Sequence, residues 1–386
     1  MTAVALAALA GCATVQVTQQ PNAPVQDTPA EVTQRATRWQ FDAGDRPPAE
    51  RDGYRPPVKL AVLLPLSGSL ATAAAPVRDG LLAGYYGEQR RRPELVFYDT
   101  TGTAAGAGAA YARAVSEGAD QVVGPLGRDE IDAVYRQVQP TTPVIALNRG
   151  PQAPPANSAS FSLAPEDDGS GAADYLVSRK AKRVLVLAGE GDYSRRSVAA
   201  FAKRLQENEG AVTRTLAIVG DKPADQTPAL QAAAAEGVDA VFMALRGPQA
   251  RAIGPQMAAS GLMAKPRVAT SLLLSGTGKA EEDRTLDGIA FPTDAWTVGG
   301  VRGLPPAGMA GQTLPTARGG AAKLFAFGYD AWLLTAYLES LALSGDAHVE
   351  GATGVLSIGA DGNVERSPAW STFSNGVVVP LARAAR

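Results

Sequence analysis

The sequence predicts an α/β protein with two doubly wound parallel-sheet lobes, joined as a hinged clamshell. Short, nearly continuous apolar runs alternate with stretches of helical composition, which is the pattern of parallel strands covered on both faces. A proline-rich segment near residues 151–155 divides these units into two sets. Residues 13–57 precede both sets and show neither helical nor strand periodicity. We therefore expect a disordered N-terminal tether followed by the two lobes.

The first residues end in Leu9-Ala10-Gly11-Cys12, which follows a short apolar stretch and contains the only cysteine among 386 residues. A small-residue site after an apolar stretch is typical of a secretory cleavage signal. The four residues also resemble the lipobox of bacterial lipoproteins. We expect residues 1–12 to be a lipoprotein signal and Cys12 to be lipidated; the alternative is a buried structural cysteine. No Lys or Arg precedes Cys12, so we expect the basic start of the signal to lie upstream.

The lipid anchor sets the expected location. The apolar lead-in of about a dozen residues is shorter than the roughly 20 that a membrane-spanning helix needs. Two or three acyl chains on a cysteine anchor a protein stably, because each buried CH₂ contributes about 0.8 kcal/mol. By resemblance to Gram-negative lipoproteins, Ala13 in place of an aspartate favours sorting to the outer membrane. We expect a lipid-anchored outer-membrane protein that faces the periplasm.

Residues 13–57 are rich in Pro, Gln, Thr and Asp. This composition cannot bury enough apolar area to offset the entropy of ordering, so we expect a flexible tether. A coil of this length has a root-mean-square span of roughly 35–40 Å. Trp39 and Phe41 are candidates for docking onto the folded body, but prolines on both sides argue against a long helix.

The folded body begins at Val58, where the periodicity changes. Short loops between alternating strands and helices imply right-handed crossovers. The predicted strands of the first set cover residues 58–64, 95–99, 121–126 and 143–148, with helices over about 71–91 and 104–117 and from about 129. The predicted strands of the second set cover residues 181–187, 212–219, 238–245, 267–272 and 288–291, with helices over 194–209 and about 248–260.

A long helix and a strand-rich tail complete the body. Apolar residues recur at helical spacing after a Gly- and Pro-rich loop, which predicts an amphipathic helix lying on a sheet. They are Leu324, Phe327, Ala331, Leu334, Leu338 and Leu341. The tail, 354–381, predicts strands joined by a turn. With chain crossings near 149–163, 292–320 and 345–353, we expect lobe 1 to contain about 58–148 and 292–344, and lobe 2 about 160–291 and 353–386.

Three stretches of this body resemble one family. They are residues 60–68, residues 122–126 with 143–148, and the stretch that begins at 326–332 and continues through 351–357, 361–362 and 377–381. The order of units resembles the type I periplasmic binding protein fold. The third stretch narrows the resemblance to the penicillin-binding protein activator family, the LppC- or LpoA-type outer-membrane lipoproteins. The resemblance implies a non-enzymatic protein that binds and stimulates a bifunctional, class A penicillin-binding protein and so regulates peptidoglycan synthesis.

The better-known members of that family carry a helical, tetratricopeptide-like domain between the lipid and the clamshell. Residues 13–57 contain no repeat of that kind, whose period is roughly 34 residues. In the family the clamshell is the part expected to contact the synthase, so we expect activation to be retained. We expect the reach across the periplasm to come from the tether instead.

Composition and residue counts argue against several functional classes. The formal net charge is −2, with 36 basic and 38 acidic residues, so no basic excess indicates a nucleic-acid partner. His348 is the only histidine. No Ser-x-x-Lys motif of a penicillin-binding transpeptidase occurs, and one Cys with one His cannot supply a typical zinc site. The sequence therefore predicts no catalysis, no metal and no cofactor.

Two glycine-rich loops imitate nucleotide-binding motifs. Residues 275–279 are followed by Ala280 where a P-loop needs Ser or Thr. The run Gly189-Glu190-Gly191 is followed by Ser194 in place of a third glycine, and it resembles the Asp-Tyr turn in the second lobe of type I binding proteins. We expect neither loop to bind a nucleotide.

A ligand cleft between the lobes is the remaining candidate site. In open α/β sheets ligands bind beyond the carboxyl ends of the strands, and polar residues follow several of these ends. The candidates are Ser67, Gly68, Ser69, Asn148 and Arg149 in lobe 1, and Asp192 and Tyr193 in lobe 2. Backbone N–H groups after Gly68 are placed to hold a carboxylate. The alternative is that all seven are ordinary turn and cap residues.

Two functions therefore stay open at the level of sequence. The leading hypothesis is a lipoprotein that docks on a class A penicillin-binding protein and binds its active conformation more tightly than its inactive one. The alternative is a periplasmic lipoprotein that captures an amino acid or similar small polar ligand for a transporter or sensor. The alternative rests on the fold, which by itself says little about function.

Overall fold

The computed structural model describes residues 29–41, 46–274 and 279–381. Cys12, the residues around it and most of the 275–279 loop lie outside the described residues. The described chain forms two mainly parallel sheets flanked by helices. The predicted α/β class with two doubly wound lobes is confirmed.

The first lobe contains a five-stranded, all-parallel sheet. Its elements in chain order are α1 (Pro29–Arg38), β1 (Lys59–Leu64), α2 (Ala71–Gly87), β2 (Glu94–Asp99), α3 (Ala104–Ser116), β3 (Gln121–Val123), α4 (Arg128–Tyr135), β4 (Val144–Ala146) and β5 (Ser158–Ser160). The strand order is β2-β1-β3-β4-β5. β1 lies between β2 and β3 inside the sheet. Its apolar run, from Leu60 to Leu64, is completely buried, as expected for a parallel strand covered on both faces.

The second lobe contains a seven-stranded sheet. Its elements are α5 (Pro165–Val177), β6 (Arg183–Ala188), α6 (Asp192–Glu207), β7 (Ala211–Ala217), α7 (Thr227–Ala235), β8 (Ala240–Ala244), α8 (Gly247–Ala259), β9 (Arg267–Ala269), α9 (Ala280–Asp283) and β10 (Ile289–Thr293). The elements that follow in the chain, which belong partly to each lobe, are α10 (Ala295–Gly299), α11 (Ala307–Thr313), α12 (Ala321–Leu343), β11 (Val349–Glu350), β12 (Val355–Ile358), β13 (Val364–Ser367), β14 (Ala369–Ser374) and β15 (Val377–Pro380). Short 3₁₀ turns occupy Leu262–Ala264, Ser271–Leu274, Arg284–Leu286 and Pro315–Ala317.

The sheet of the second lobe has the order β15-β14-β10-β9-β8-β6-β7. β6 to β10 are parallel, whereas β14 pairs antiparallel with β10, and β15 antiparallel with β14. β11, β12 and β13 form a separate small antiparallel sheet. Its apolar residues Leu356, Ile358 and Val364 belong to the core of the first lobe. Residues 349–367 therefore pack with lobe 1, which differs from the expected lobe 2 boundary at 353.

α12 packs along α2 in the first lobe. The apolar positions predicted for this helix lie in or against the core of that lobe. The two helices approach so closely that a Cβ on Gly80 would lie 1.9 Å from the Phe325 carbonyl oxygen, and one on Gly328 would lie 1.9 Å from the Val77 carbonyl oxygen. Within the described ranges, no helix combines the length and apolar composition needed to cross a bilayer.

The expected tether is wrong for residues 29–41 and 46–57, which pack on the first lobe. Trp39 is 4% exposed and joins the apolar core of that lobe. Its ring stacks on Phe41 with the ring centroids 5.7 Å apart. Tyr54 is buried in the same core. A few apolar side chains thus order a segment whose average composition predicts flexibility.

Arginines of α1 add polar contacts to this packing. Arg35 is buried and donates from Nη1 to the Ile358 carbonyl oxygen at 2.7 Å. Arg38 donates from Nη2 to the carbonyl oxygens of Pro154, Pro155 and Ser158 at 2.8, 3.0 and 3.1 Å. The partners of Arg38 lie 116 to 120 positions later in the chain. Local sequence cannot reveal such contacts, which explains why the helix was not predicted.

Candidate functional site

The turn after β1, where the sequence predicts an anion site, binds the carboxylate of Asp99. Asp99 ends the neighbouring strand β2, in register with Leu64. It accepts hydrogen bonds from the backbone N–H groups of Leu66 at 2.9 Å and Ser67 at 3.3 Å, and from the Ser67 hydroxyl at 2.6 Å. The Ser67 hydroxyl does most to hold the pKa of Asp99 below its usual range. The chain's own carboxylate thus binds Ser67, whereas the N–H groups predicted to hold an external carboxylate follow Gly68.

Gly68 and Ser69 are exposed residues of the same turn. Gly68 has a φ of +80°, and a Cβ there would lie 2.8 Å from the Thr101 carbonyl oxygen. The turn itself therefore accounts for the glycine. The contacts described for Ser67 and Gly68 are with lobe 1 residues, Asp99 and Thr101.

Asn148 and Arg149 follow β4, in the connection from β4 to β5 of lobe 1. Asn148 donates from Nδ2 to the Leu126 carbonyl oxygen at 3.2 Å, and its Oδ1 accepts from the Arg149 N–H at 2.9 Å. The Arg149 guanidinium donates from Nη2 to Asp167 Oδ1 at 2.8 Å. Asp167 lies in the first turn of α5, which packs against α6 of the second lobe. This ion pair therefore joins the two lobes.

Asp192 and Tyr193 both begin α6, but their surroundings differ. Asp192 is exposed and pairs within its own helix, with Arg195 and Arg196. The Tyr193 hydroxyl donates to Asp168 Oδ2 at 2.6 Å. Burial raises the pKa of Tyr193, and the adjacent Asp168 carboxylate raises it further. Of these two residues, Tyr193 but not Asp192 takes part in the buried polar contacts near the lobe boundary.

Five residues distant in sequence form one polar cluster between the lobes, called the inter-lobe network below: Asp168, Tyr193, Ser271, Lys323 and Arg366. Asp168 Oδ2 accepts from the Ser271 N–H at 2.7 Å, and Ser271 Oγ lies 3.2 Å from the Tyr193 hydroxyl. Lys323, on α12, donates from Nζ to Ser271 Oγ at 3.0 Å. Arg366 Nη2 lies 3.8 Å from Asp168 Oδ1, and these two side chains are only 3% and 1% exposed.

Two further carboxyl groups border the network. Burial raises the pKa of Asp167, although the charges of Arg149 and Arg366 oppose the rise. Burial also raises the pKa of Asp294, opposed by Lys323 and Arg366. Cationic and acidic groups of the chain thus face one another across the lobe boundary. A polar molecule entering here would have to displace these contacts.

The structure describes no other strong candidate for chemistry. Among the described residues, no group of three or more His, Cys, Asp or Glu is arranged to hold a metal ion. His348 is exposed, with Nδ1 3.1 Å from the Asp346 carbonyl oxygen. Two shallow depressions of about 320 and 260 Å³ lie on the first lobe beside residues 47–56, and neither is lined by the inter-lobe network.

The sequence predicts Tyr193 and Arg149 as candidate cleft residues but not the residues that bind them. The acidic run Glu166-Asp167-Asp168 follows Pro165 at the start of α5. That pattern is an ordinary helix start, because acidic residues stabilise a helix N-terminus. Nothing local distinguishes Ser271, Lys323 or Arg366 from surface residues, so the network emerges only from the fold.

Comparison with known proteins agrees with the sequence resemblance. A family model described as "LppC putative lipoprotein" matches residues 54–376. The chain is 27% identical to the "Penicillin-binding protein activator LpoA" of Mannheimia succiniciproducens over 333 residues, which cover 84% of this chain and 55% of the relative. It is 28% identical to the protein of the same name in Dickeya chrysanthemi over 313 residues, covering 70% and 45%. The chain thus spans about half the length of these curated relatives.

Solved structures share the fold. The LpoA (YraM) C-domain from Haemophilus influenzae, described as a regulator of PBP1A, gives a TM-score of 0.70 at 20% identity and covers 84% of this chain and 100% of that one. Full-length LpoA from Haemophilus influenzae gives 0.70 at 23% identity, covering 84% and 59%. A "putative branched-chain amino acid ABC transporter" from Chromobacterium violaceum gives 0.66 at 30% identity, covering 82% and 100%. These likenesses confirm the predicted type I periplasmic-binding fold.

Proposed function

The chain belongs to the LppC family, and from that membership we propose that it is a non-enzymatic lipoprotein that binds and activates a class A penicillin-binding protein. The observation that carries the proposal is the family match over residues 54–376, since the relatives found are named penicillin-binding protein activators. By this action the chain regulates peptidoglycan synthesis. An activator must bind the active conformation of the synthase more tightly than the inactive one.

Part of the sequence resemblance maps to one tightly packed unit in the first lobe, which supports a scaffold role. Gly328 allows α12 to approach Val77 on α2. Asp330, on the same helix, accepts hydrogen bonds from the Thr353 N–H at 2.7 Å and the Thr353 hydroxyl at 2.5 Å. Such a unit presents a fixed surface to a partner rather than a reaction centre. We place the synthase contact on the clamshell for this reason.

The proposal includes an anchor at Cys12, which lies outside the described residues. Acylation there would tether the clamshell to the outer membrane, facing the periplasm. From that position the clamshell would contact a class A synthase of the inner membrane across the peptidoglycan layer. Mass spectrometry of the chain purified from membranes tests this part, because an acylated N-terminal cysteine carries a defined mass increment. An unmodified Cys12 would remove the anchor from the proposal.

Glycan polymerisation and crosslinking by the purified cognate synthase test the activation itself. The assay compares the synthase alone with the synthase plus the full chain carrying Cys12→Ser, which avoids detergent effects of the lipid. Residues 29–57 must be kept, because Trp39 and Tyr54 belong to the core. We expect saturable binding and faster polymerisation or crosslinking, with the heat-denatured chain as the control. The absence of both binding and stimulation would overturn the proposal.

Capture of a small polar ligand is the second candidate function. The 30% identity to a protein described as a "putative branched-chain amino acid ABC transporter" favours it. Against it, two of the candidate ligand-binding residues already have partners in the chain, Ser67 with Asp99 and Tyr193 with Asp168. A thermal-shift screen with amino acids and peptidoglycan fragments distinguishes the two functions. A saturable rise in Tm that is lost in Tyr193→Phe would support capture. A flat screen would count against capture and leave the activator proposal intact.

A further inference from the structure

We propose that the inter-lobe network is a built-in latch, which holds the two lobes closed in the absence of any ligand. Clamshell proteins of two lobes open and close about the segments that cross between them. Here the chain's own charged side chains lie at those crossings and pair across the lobe boundary. The latch would act whether or not the chain activates a synthase.

Each crossing carries one charged group of the latch or its border. Asp167 lies in the first turn of α5, directly after the first crossing, and Asp294 directly follows β10 at the second. Arg366 lies in β13, the last strand of the small sheet, just before the chain enters β14 of the second lobe. Arg149 pairs with Asp167 at 2.8 Å. Hinge motion twists these segments, so it would pull on contacts at all three.

The network also closes into a ring that begins and ends on α12. In order, the ring runs through Asp330, Thr353, Arg366, Asp168, Ser271 and Lys323. The Thr353 carbonyl oxygen accepts from Arg366 Nη1 at 3.3 Å, which holds the guanidinium on the lobe 1 side. The ring then crosses to lobe 2 at Arg366–Asp168 and returns at Ser271–Lys323, where Nζ donates to Oγ at 3.0 Å. One rigid helix therefore anchors both crossing contacts.

Burial makes these contacts hard to break. Asp168 is fixed inside lobe 2 by the Tyr193 hydroxyl and the Ser271 N–H, so it cannot follow Arg366 when the lobes separate. Arg366 and Asp168 are 3% and 1% exposed, and Arg366 Nε has no hydrogen-bond partner among the described residues. Removing the partner of a buried charge is strongly unfavourable. Opening therefore requires either solvent entry or a group that replaces the lost partner.

The distance between the lobes in solution tests the latch. Spin labels at Ala112→Cys on α3 and Gln231→Cys on α7, both exposed, are introduced into the full chain carrying Cys12→Ser, because Cys12 is the only native cysteine. Electron–electron resonance then measures their separation without ligand. We expect one narrow distance distribution for this parent. Lys323→Met should raise the ratio of open to closed molecules roughly ten- to hundredfold, the effect of losing a hydrogen bond to a charged group.

Two further variants make the result decisive. Lys203→Met is the matched control, because Lys203 is exposed and its described ion pair, with Glu207, lies within α6. Its distance distribution should equal that of the parent. Asp168→Asn should open the lobes as Lys323→Met does, provided that near-ultraviolet circular dichroism shows a folded chain. The half-buried Lys323 is the safer site for folding. A parent that is already broadly distributed, or a folded Lys323→Met as narrow as the parent, would overturn the latch.

Discussion

Asp330 holds the turn that carries Thr353. The Thr353 N–H and hydroxyl donate to Asp330 Oδ2 at 2.7 and 2.5 Å, and the Ala352 N–H donates to Oδ1. Asp330 is completely buried, and a Cβ on Gly351 would lie 2.5 Å from its Oδ1. Two separate stretches of the sequence resemblance, 326–332 and 351–357, thus form one structural unit in lobe 1. The carboxylate is the acceptor around which the turn is built.

Replacing Asp330 with alanine should strongly destabilise the chain. The substitution leaves three buried donors without an acceptor, and each such group costs about 1–3 kcal/mol. We expect the free energy of unfolding, measured by urea titration, to fall by about 3 kcal/mol or more. Asp346→Ala is the control, because Asp346 is an exposed residue of the nearby loop. Equal stability of the two variants would contradict the role assigned to Asp330.

The same residue should make stability depend on pH. Burial raises the pKa of Asp330 to about 7, against the opposing effect of its donors. The folded chain then keeps a proton that the unfolded chain loses above the ordinary pKa of aspartate. The resulting stabilisation is fully present below about pH 4 and is lost as the pH rises through about 7, at up to about 1.4 kcal/mol per pH unit. Urea titrations across this range should show a shallower slope in Asp330→Asn than in the natural chain, because Asp167 and Asp294, whose pKa values are also raised, are present in both. Parallel pH profiles would refute the assignment.

Gly328→Ala should disrupt the contact between α12 and α2. A Cβ at this position would lie 1.9 Å from the Val77 carbonyl oxygen, so the helices would have to separate. We expect a loss of roughly 3 kcal/mol or more, at or beyond the upper end of overpacking effects. Gly299→Ala is the matched control, because nothing lies within 4 Å of a Cβ there. Thermal unfolding followed by circular dichroism measures both, and similar Tm values would show that the helices can adjust.

Trp39→Ala tests whether the segment before β1 is part of the folded domain. Trp39 is 4% exposed and stacks on Phe41. Removing a buried tryptophan side chain costs about 3 kcal/mol or more. We expect lower stability to urea and faster proteolysis of residues 29–41. Gln40→Ala, at the exposed neighbouring position, should have the stability and proteolysis rate of the natural chain. If Trp39→Ala gave the same values, the segment would be a flexible tether and not part of the folded domain.

The sequence predicted the sheets better than the site, for physical reasons. Continuous apolar runs such as that of β1 are fixed by burial on both faces, and they appear in the sequence directly. β5 was missed because its three residues, Ser-Ala-Ser, carry no apolar run. α1 was missed because its order comes from remote contacts of Arg38 and Trp39. The inter-lobe network depends on residues as distant as Asp168 and Arg366, which only tertiary structure brings together.

The packing of residues 29–41 and 46–57 on lobe 1 sharpens the prediction for the membrane anchor. Only residues 13–28 remain between Cys12 and the folded domain, and a chain of that length spans at most on the order of 55 Å. If the chain activates an inner-membrane synthase from the outer membrane, deleting about half of these residues should abolish function in cells while leaving stimulation in solution intact. Cys12→Ser should likewise abolish function in cells and leave stimulation in solution intact, because the folded domain is untouched.

Complementation of a strain lacking the chain, measured as the rate of peptidoglycan incorporation, tests both variants. A Gly/Ser segment of equal length in place of the deleted residues is the control and should restore function. Normal function of both variants in cells would show that anchoring and reach are irrelevant, and the outer-membrane part of the proposal would fall.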